Sequence, residues 1–277
     1  QHKTQTSLVF CLRLSLSLSI MKNDNLMYEE LLRYLTVVSR DNGVEFTVAD
    51  RRDVLMQLLS GSDYELVSQT PLSLVYARKD VELEHGSVLI SSHIDSVYEN
   101  CFVKDDGEYW KGTFDNSATN AALVMLMLTK RLPANVIVAF TGDEELDSRG
   151  ALEVTEFIVD KGVPVGSIVV LDVTNGGWES EVAFSIENDA LFDILTGYNL
   201  IAAARNSGVP FAVRPDAEPD EAADYLKFLG ERQYPLPIFT LCLPVGGDMH
   251  SEEGTLMRKS SVVPFCDYLV KVVSEVL

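Results

Sequence analysis

Residues 87–95 read Ser-Val-Leu-Ile-Ser-Ser-His-Ile-Asp. The run is too apolar and β-branched to alternate between core and water, as expected of a strand covered on both faces. It stops on an imidazole and a carboxylate. The same grammar recurs along the chain: residues 135–141 (NVIVAFT) run into Gly142-Asp143-Glu144-Glu145, residues 167–171 (SIVVL) into Asp172, and residues 237–243 (PIFTLCL) lead through a short loop to His250. Two further β-rich runs lie at 72–77 (LSLVYA) and 181–186 (EVAFSI). Helical spacing of apolar residues marks 25–39 and 48–59 ahead of the strands, and helices are expected at 117–131, 151–161, 190–206, 221–231 and 260–276. Buried strands alternating with helices define an α/β protein, a three-layer α/β/α arrangement with a mixed, largely parallel central sheet.

The 277 residues are 47% hydrophobic, with Lys+Arg 22 against Asp+Glu 42 and a formal net charge of −20. That excess of acid, with no basic run, argues against nucleic acid and anionic membrane, whose recognition draws on clustered Lys and Arg. No stretch approaches the roughly 18 consecutive apolar residues of a membrane span. Four scattered cysteines (Cys11, Cys101, Cys242, Cys266) form no C-x-x-C pair and fit a reducing cytoplasm. Residues 1–20, ahead of Met21, are read as an extension upstream of a single catalytic domain over 21–277, with a secretory signal and an edge strand as rival readings.

In open α/β sheets ligands bind beyond the carboxyl ends of the strands. Here that edge collects His93, Asp95, Glu144, Glu145, Asp172 and His250, and the sequence Gly112-Thr113-Phe114-Asp115-Asn116 adds Asp115 just before a helix. Each alone has a bland reading: a structural histidine, a helix cap, a solvated turn. Together, five carboxylates on one edge repel one another unless cations neutralise them. Mixed imidazole and carboxylate ligands suit Zn²⁺, with Mn²⁺ or Co²⁺ as alternatives.

The ordered series HIDSV, GTFDNSA, GDEELDSRGA, VLD and MHSEE resembles the di-zinc aminopeptidase and deacylase clan, whose pattern is H-x-D, D-N, E-E, D and H. The spacings are 20 residues from Asp95 to Asp115, 29 to Glu144, 27 from Glu145 to Asp172 and 78 to His250. The resemblance implies that His93 and Asp172 hold one Zn²⁺, that Glu145 and His250 hold the other, and that Asp115 bridges the two. It makes Asp95 the residue that orients the His93 ring and Glu144 the general base. With only 78 residues between Asp172 and His250, there is no room for the lid of the dimeric deacylases. The 20 before Asp115 leave none for the inserted β domain of the tetrahedral aminopeptidases, so the compact single-domain aminopeptidases are nearest in shape. EELDSRGA is nevertheless similar to the tetrahedral group's E-E-x-G-x-R-G-A. Thr119 and Asp147 stand where these families place Gly, and Tyr225 and Tyr234 are candidates for steadying a tetrahedral intermediate.

The implied activity is removal of N-terminal residues from peptides. Hydrolysis of small N-acyl compounds is the alternative within the same chemistry. A silent homologue that only binds a ligand is the alternative of another class, and its usual sign, a lost ligand or base, is missing here.

Overall fold

The structure, a computed structural model, describes residues 24–36, 49–81, 87–187 and 194–277. The readings made for residues 1–20 lie outside these.

The predicted strands form one sheet. Its centre is β3 (Ser87–His93) flanked in parallel by β6 (Val136–Thr141) and β7 (Val165–Thr174), with β10 (Ile238–Gly246) parallel to β7. On one side β2 (Ser73–Arg78) and β1 (Tyr64–Gln69) continue it antiparallel. On the other, β8 (Phe184–Glu187) pairs antiparallel with β10 and carries the parallel edge strand β9 (Phe211–Arg214). The far end of β10 turns away into a small antiparallel sheet with β11 (Thr255–Arg258), β5 (Tyr109–Gly112) and β4 (Val103–Asp106).

The period of two sorts the central side chains between two cores. Val88, Ile90, Val138, Phe140, Val169, Leu171, Phe239 and Leu241 face one side. There they meet α1 (Asp24–Thr36), α2 (Ala49–Leu59), α3 (Ser117–Leu128), α5 (Ile194–Ser207) and α7 (Lys259–Glu275). Leu89, Ile137, Ala139, Ile168 and Val170 face the other, under α4 (Arg149–Lys161) and α6 (Glu221–Glu231). This is the expected three-layer arrangement. α3 is buried at every residue from Ser117 to Met127, because it lies between the sheet and α1, and its all-round apolar sequence follows from that. Among the described residues no helix is long and apolar enough to cross a membrane.

Helix α6 begins at Asp220, whose side chain accepts a hydrogen bond from the Ala222 amide at 2.8 Å. The next residue, Glu221, is buried and accepts a hydrogen bond from Ser91 Oγ at 2.6 Å. Burial pushes its carboxyl up to about 7 from 4.5, against the opposing effect of its hydrogen bonds. A folded-state pKa raised in this way makes the protonated form the favourable one. The contribution is present in full below pH 4.5 and is lost as pH rises through about 7. That loss is worth about 3 kcal/mol. Urea unfolding from pH 4 to pH 8 should therefore show a decline in stability that is about 3 kcal/mol larger for the wild type than for Glu221→Gln, and the variant should be the more stable at pH 8. Parallel curves for the two proteins would contradict the assignment.

Candidate metal centre

His93 ends β3 with its ring buried, and it is met by Asp95 from its own segment and by residues of three others. Its Nδ1 lies 3.3 Å from Asp95 Oδ1. Its Nε2 lies 3.0 Å from Asp115 Oδ1, 3.6 Å from Asp172 Oδ1 and 3.8 Å from Glu144 Oε2. His250 stands opposite, half exposed, with Nε2 at 3.1 Å from Asp115 Oδ2 and 3.4 Å from Glu145 Oε2. Asp115 thus offers one oxygen to each imidazole. All seven residues singled out in the sequence converge at the carboxyl edge of the sheet.

Local structure explains how. Asp115 sits on the turn into α3, and its peptide bond to Asn116 is cis. Asn116 is tied down by an Nδ2–H bond to the Leu171 carbonyl at 2.7 Å, and Asn120 donates to the His93 carbonyl at 2.8 Å. Thr119 bonds through its hydroxyl to Asn116 Oδ1, and to Ser92 Oγ at 2.9 Å. In place of the expected Gly, then, a helical Thr adds a cross-link between α3 and β3. The acidic turn after β6 is wound by the Asp143 carbonyl, which accepts from the amides of Leu146, Asp147 and Ser148. Its positive φ values fall on Asp143 (70°) and Ser148 (48°), so Asp147 needs no glycine. Gly150 closes this turn, and a Cβ there would lie 2.5 Å from the Gly142 carbonyl oxygen and 2.7 Å from that of Leu72. Adjacent Glu144 and Glu145 diverge as a result: Glu144 reaches toward His93, while Glu145 reaches toward His250 and donates its amide to Asp95 Oδ2 at 3.1 Å.

The groups hold one another in altered protonation states. Burial, reinforced by Asp172, Asp115 and Glu145, pushes Glu144 up to about 9, with His93 opposing. Burial and Asp115 push Glu145 up to about 7, and burial raises Asp172. The Asp115 contact lifts His250 to about 9. Burial would lower His93, but Glu144, Asp115, Asp172 and Asp95 together raise it well above its usual value. For Asp115 and Asp95 burial acts upward, and the imidazoles outweigh it and hold both carboxyls down. The whole centre therefore retains protons in compensation for crowded negative charge, which is the position a cation would relieve.

The donor set fits such cations. His93, Asp115 and Asp172 form one group whose ligand atoms all lie within 4.8 Å of one another, and Asp115, Glu145 and His250 form a second. Two buried carboxylate oxygens, Asp115 Oδ1 and Glu145 Oε1, accept no hydrogen bond. His93, Glu144 and Glu145 make a third such group, so at Glu144 the roles of ligand and base compete.

Three supports escaped the sequence reading. Arg51 of α2 is fully buried and donates from Nη1 to the carbonyls of Ile94 (3.0 Å) and Asp95 (3.2 Å) and from Nε to Leu35 (2.8 Å). It clamps the HID segment from beneath. Glu252 accepts from the amides of Glu99 (2.5 Å) and Asn100 (3.0 Å), fastening the His250 loop to the loop after β3. Tyr98 Oη accepts from the His250 amide at 3.4 Å. Tyr225 and Tyr234, in contrast, belong to the opposite core: Tyr225 is buried against Ser91, and Tyr234 packs beside α4 and α6. Neither lines the cleft beside the centre.

The mostly parallel sheet flanked by helices, with imidazoles and carboxylates gathered at its carboxyl edge, is the fold of several solved aminopeptidases. The chain is similar to a TET aminopeptidase from a marine-sediment Thaumarchaeota archaeon, with TM-score 0.72 and 11% identity over 90% of this chain and 96% of that one. It is similar to an aminopeptidase from the archaeon Desulfurococcus kamchatkensis, with TM-score 0.71 and 13% identity over 91% and 95%. A zinc aminopeptidase from Bacillus subtilis matches at TM-score 0.53 and 15% identity, over 73% of this chain and 48% of that one. No family model matches the sequence, and no curated protein matches it.

Proposed function

We propose that the protein is a metal-dependent aminopeptidase, active with two Zn²⁺ and with Mn²⁺ or Co²⁺ as substitutes, built as a single catalytic domain over residues 21–277. The observation that carries this reading is the pair of three-residue groups sharing Asp115, with a further carboxylate, Glu144, beside them. We assign His93 and Asp172 to one ion, Glu145 and His250 to the other, and Asp115 to both. Three ligands per ion leave a position free, as catalytic sites require and closed structural sites lack.

Bound cations supply Lewis acidity, which polarises the scissile carbonyl and acidifies water. The protein's own groups do the rest. Glu144 takes the proton from the attacking water and passes it to the leaving nitrogen. Its carboxyl, raised to about 9 by burial and neighbouring acids, falls into the ionised range once positive charge is placed beside those same acids. Asp95 faces His93 Nδ1 and so leaves Nε2 for the ion. Asp95→Asn should weaken zinc affinity by about 10–100-fold, measured by competition with a chelator, and unaltered affinity would remove its role.

The substrate is a peptide with a free N-terminus, drawn to an anionic cleft. The described cysteines Cys101, Cys242 and Cys266 are unpaired, which supports a cytoplasmic setting. The test is metal content determined together with hydrolysis of aminoacyl and N-acyl amino acid panels. Up to two ions per chain and activity on the aminoacyl panel are expected. Activity confined to the N-acyl panel would replace the aminopeptidase with a deacylase, and failure to bind zinc at micromolar concentration would overturn both.

A further inference from the structure

The metal centre opens into a cleft of about 530 Å³. Its walls carry Glu187, Glu218 and Asp220 in addition to the acids of the centre, and Arg214 is the one Lys or Arg among the lining residues. Arg214 ends the edge strand β9, level with Glu187 on β8. Its side chain runs across Gly176, where a Cβ would lie 2.4 Å from Nη1 and 2.6 Å from Cδ. The absence of a side chain at residue 176 is what lets the guanidinium lie there.

The cation is only loosely partnered. Nη1 is 3.8 Å from Glu187 Oε1, beyond hydrogen-bond reach, and that oxygen instead accepts from Ser185 Oγ at 2.6 Å. Among the described residues the guanidinium makes no hydrogen bond, and its side chain is 37% exposed and lines the cleft. A planar fork of donors with its hydrogen bonds unspent matches a carboxylate with two parallel bonds. Away from His250 and the metal-binding groups, the acids on the cleft walls repel an anion, so Arg214 marks one fixed place for one negative group.

We propose that Arg214 receives a carboxylate of the substrate and thereby selects anionic substrates, an inference that rests on the hydrolase reading above. Two sources share this chemistry: an acidic side chain on the N-terminal residue, or the free carboxylate of the departing portion, as in a dipeptide.

The test uses zinc-loaded wild type, R214Q and R214K. Calorimetry with glutarate and with its monoamide compares ligands that differ only in the second carboxylate. Wild type should prefer glutarate by at least about 10-fold, R214Q should reduce that preference to within about twofold, and R214K should retain part of it. Equal preference in wild type and R214Q, or none in wild type, overturns the proposal. Hydrolysis then identifies the source. A kcat/KM ratio for Glu- over Gln-p-nitroanilide that collapses in R214Q indicates the side chain, and one for Leu-Ala over Leu-Ala-amide indicates the leaving portion. If no amide is hydrolysed yet the glutarate preference is present and lost in R214Q, the hydrolase reading fails and the carboxylate site stands.

Discussion

Glu144→Gln should lower kcat by at least ~10²-fold, the low end of the cost of removing a general base, while zinc content stays at the wild-type value. The substitution is nearly isosteric and keeps an oxygen facing His93, so packing around the turn is preserved. What it removes is the capacity to accept and return a proton. The same experiment resolves the competition noted at this side chain, which completes a group with His93 and Glu145 as well as standing beside the Asp115 pair. A variant that loses an ion along with activity would make Glu144 a ligand. Unchanged turnover would exclude it as the base.

The second large effect concerns Asp115. Because its two oxygens meet His93 at 3.0 Å and His250 at 3.1 Å, Asp115→Ala is expected to disable both ion sites at once. Stability gives a readout independent of turnover. An ion that binds only the folded chain stabilises it by about 2.7 kcal/mol at 100 times its Kd, hence about 5 kcal/mol for two independent sites. Wild type should show a zinc-dependent rise in unfolding free energy of that order, and Asp115→Ala should show almost none. A full zinc response in the variant would place the ions elsewhere.

The central strands were legible because burial on both faces demands continuous apolar sequence, which is rare enough to notice in β3, β6, β7 and β10. Strands that pair at the margins carry no such demand. β4 is Val-Lys-Asp-Asp, three of its four residues exposed, and β1, β9 and β11 are equally short or polar. They are held by backbone hydrogen bonds to neighbours, to which side-chain pattern is nearly blind. The supports were hidden for a related reason. Arg51 in the first turn of a helix reads as a solvated cation, and only the arrival of the Ile94 and Asp95 carbonyls from 43 and 44 residues away buries it. Glu252 likewise reads as one of two acids in a loop, until its partners appear at Glu99 and Asn100. Arg214 had no distinguishing context in the chain at all.

By itself the sequence determined the layer architecture and the stock of chemical groups. Strand period and the carboxyl end of each strand are local properties, and they suffice to deliver His93, Glu144, Glu145 and Asp172 to one edge. Which carboxylate meets which imidazole was decided only by tertiary structure. The Asp115–His250 contact spans 135 residues, and its geometry depends on a helix start and a loop brought together by packing. The cis Asp115–Asn116 turn and the clamp of Glu252 have no periodic signature to read. Protonation follows the same division, since a carboxyl that would titrate normally in a loop is pushed up to about 9 at Glu144 only after folding has removed its water and gathered its neighbours.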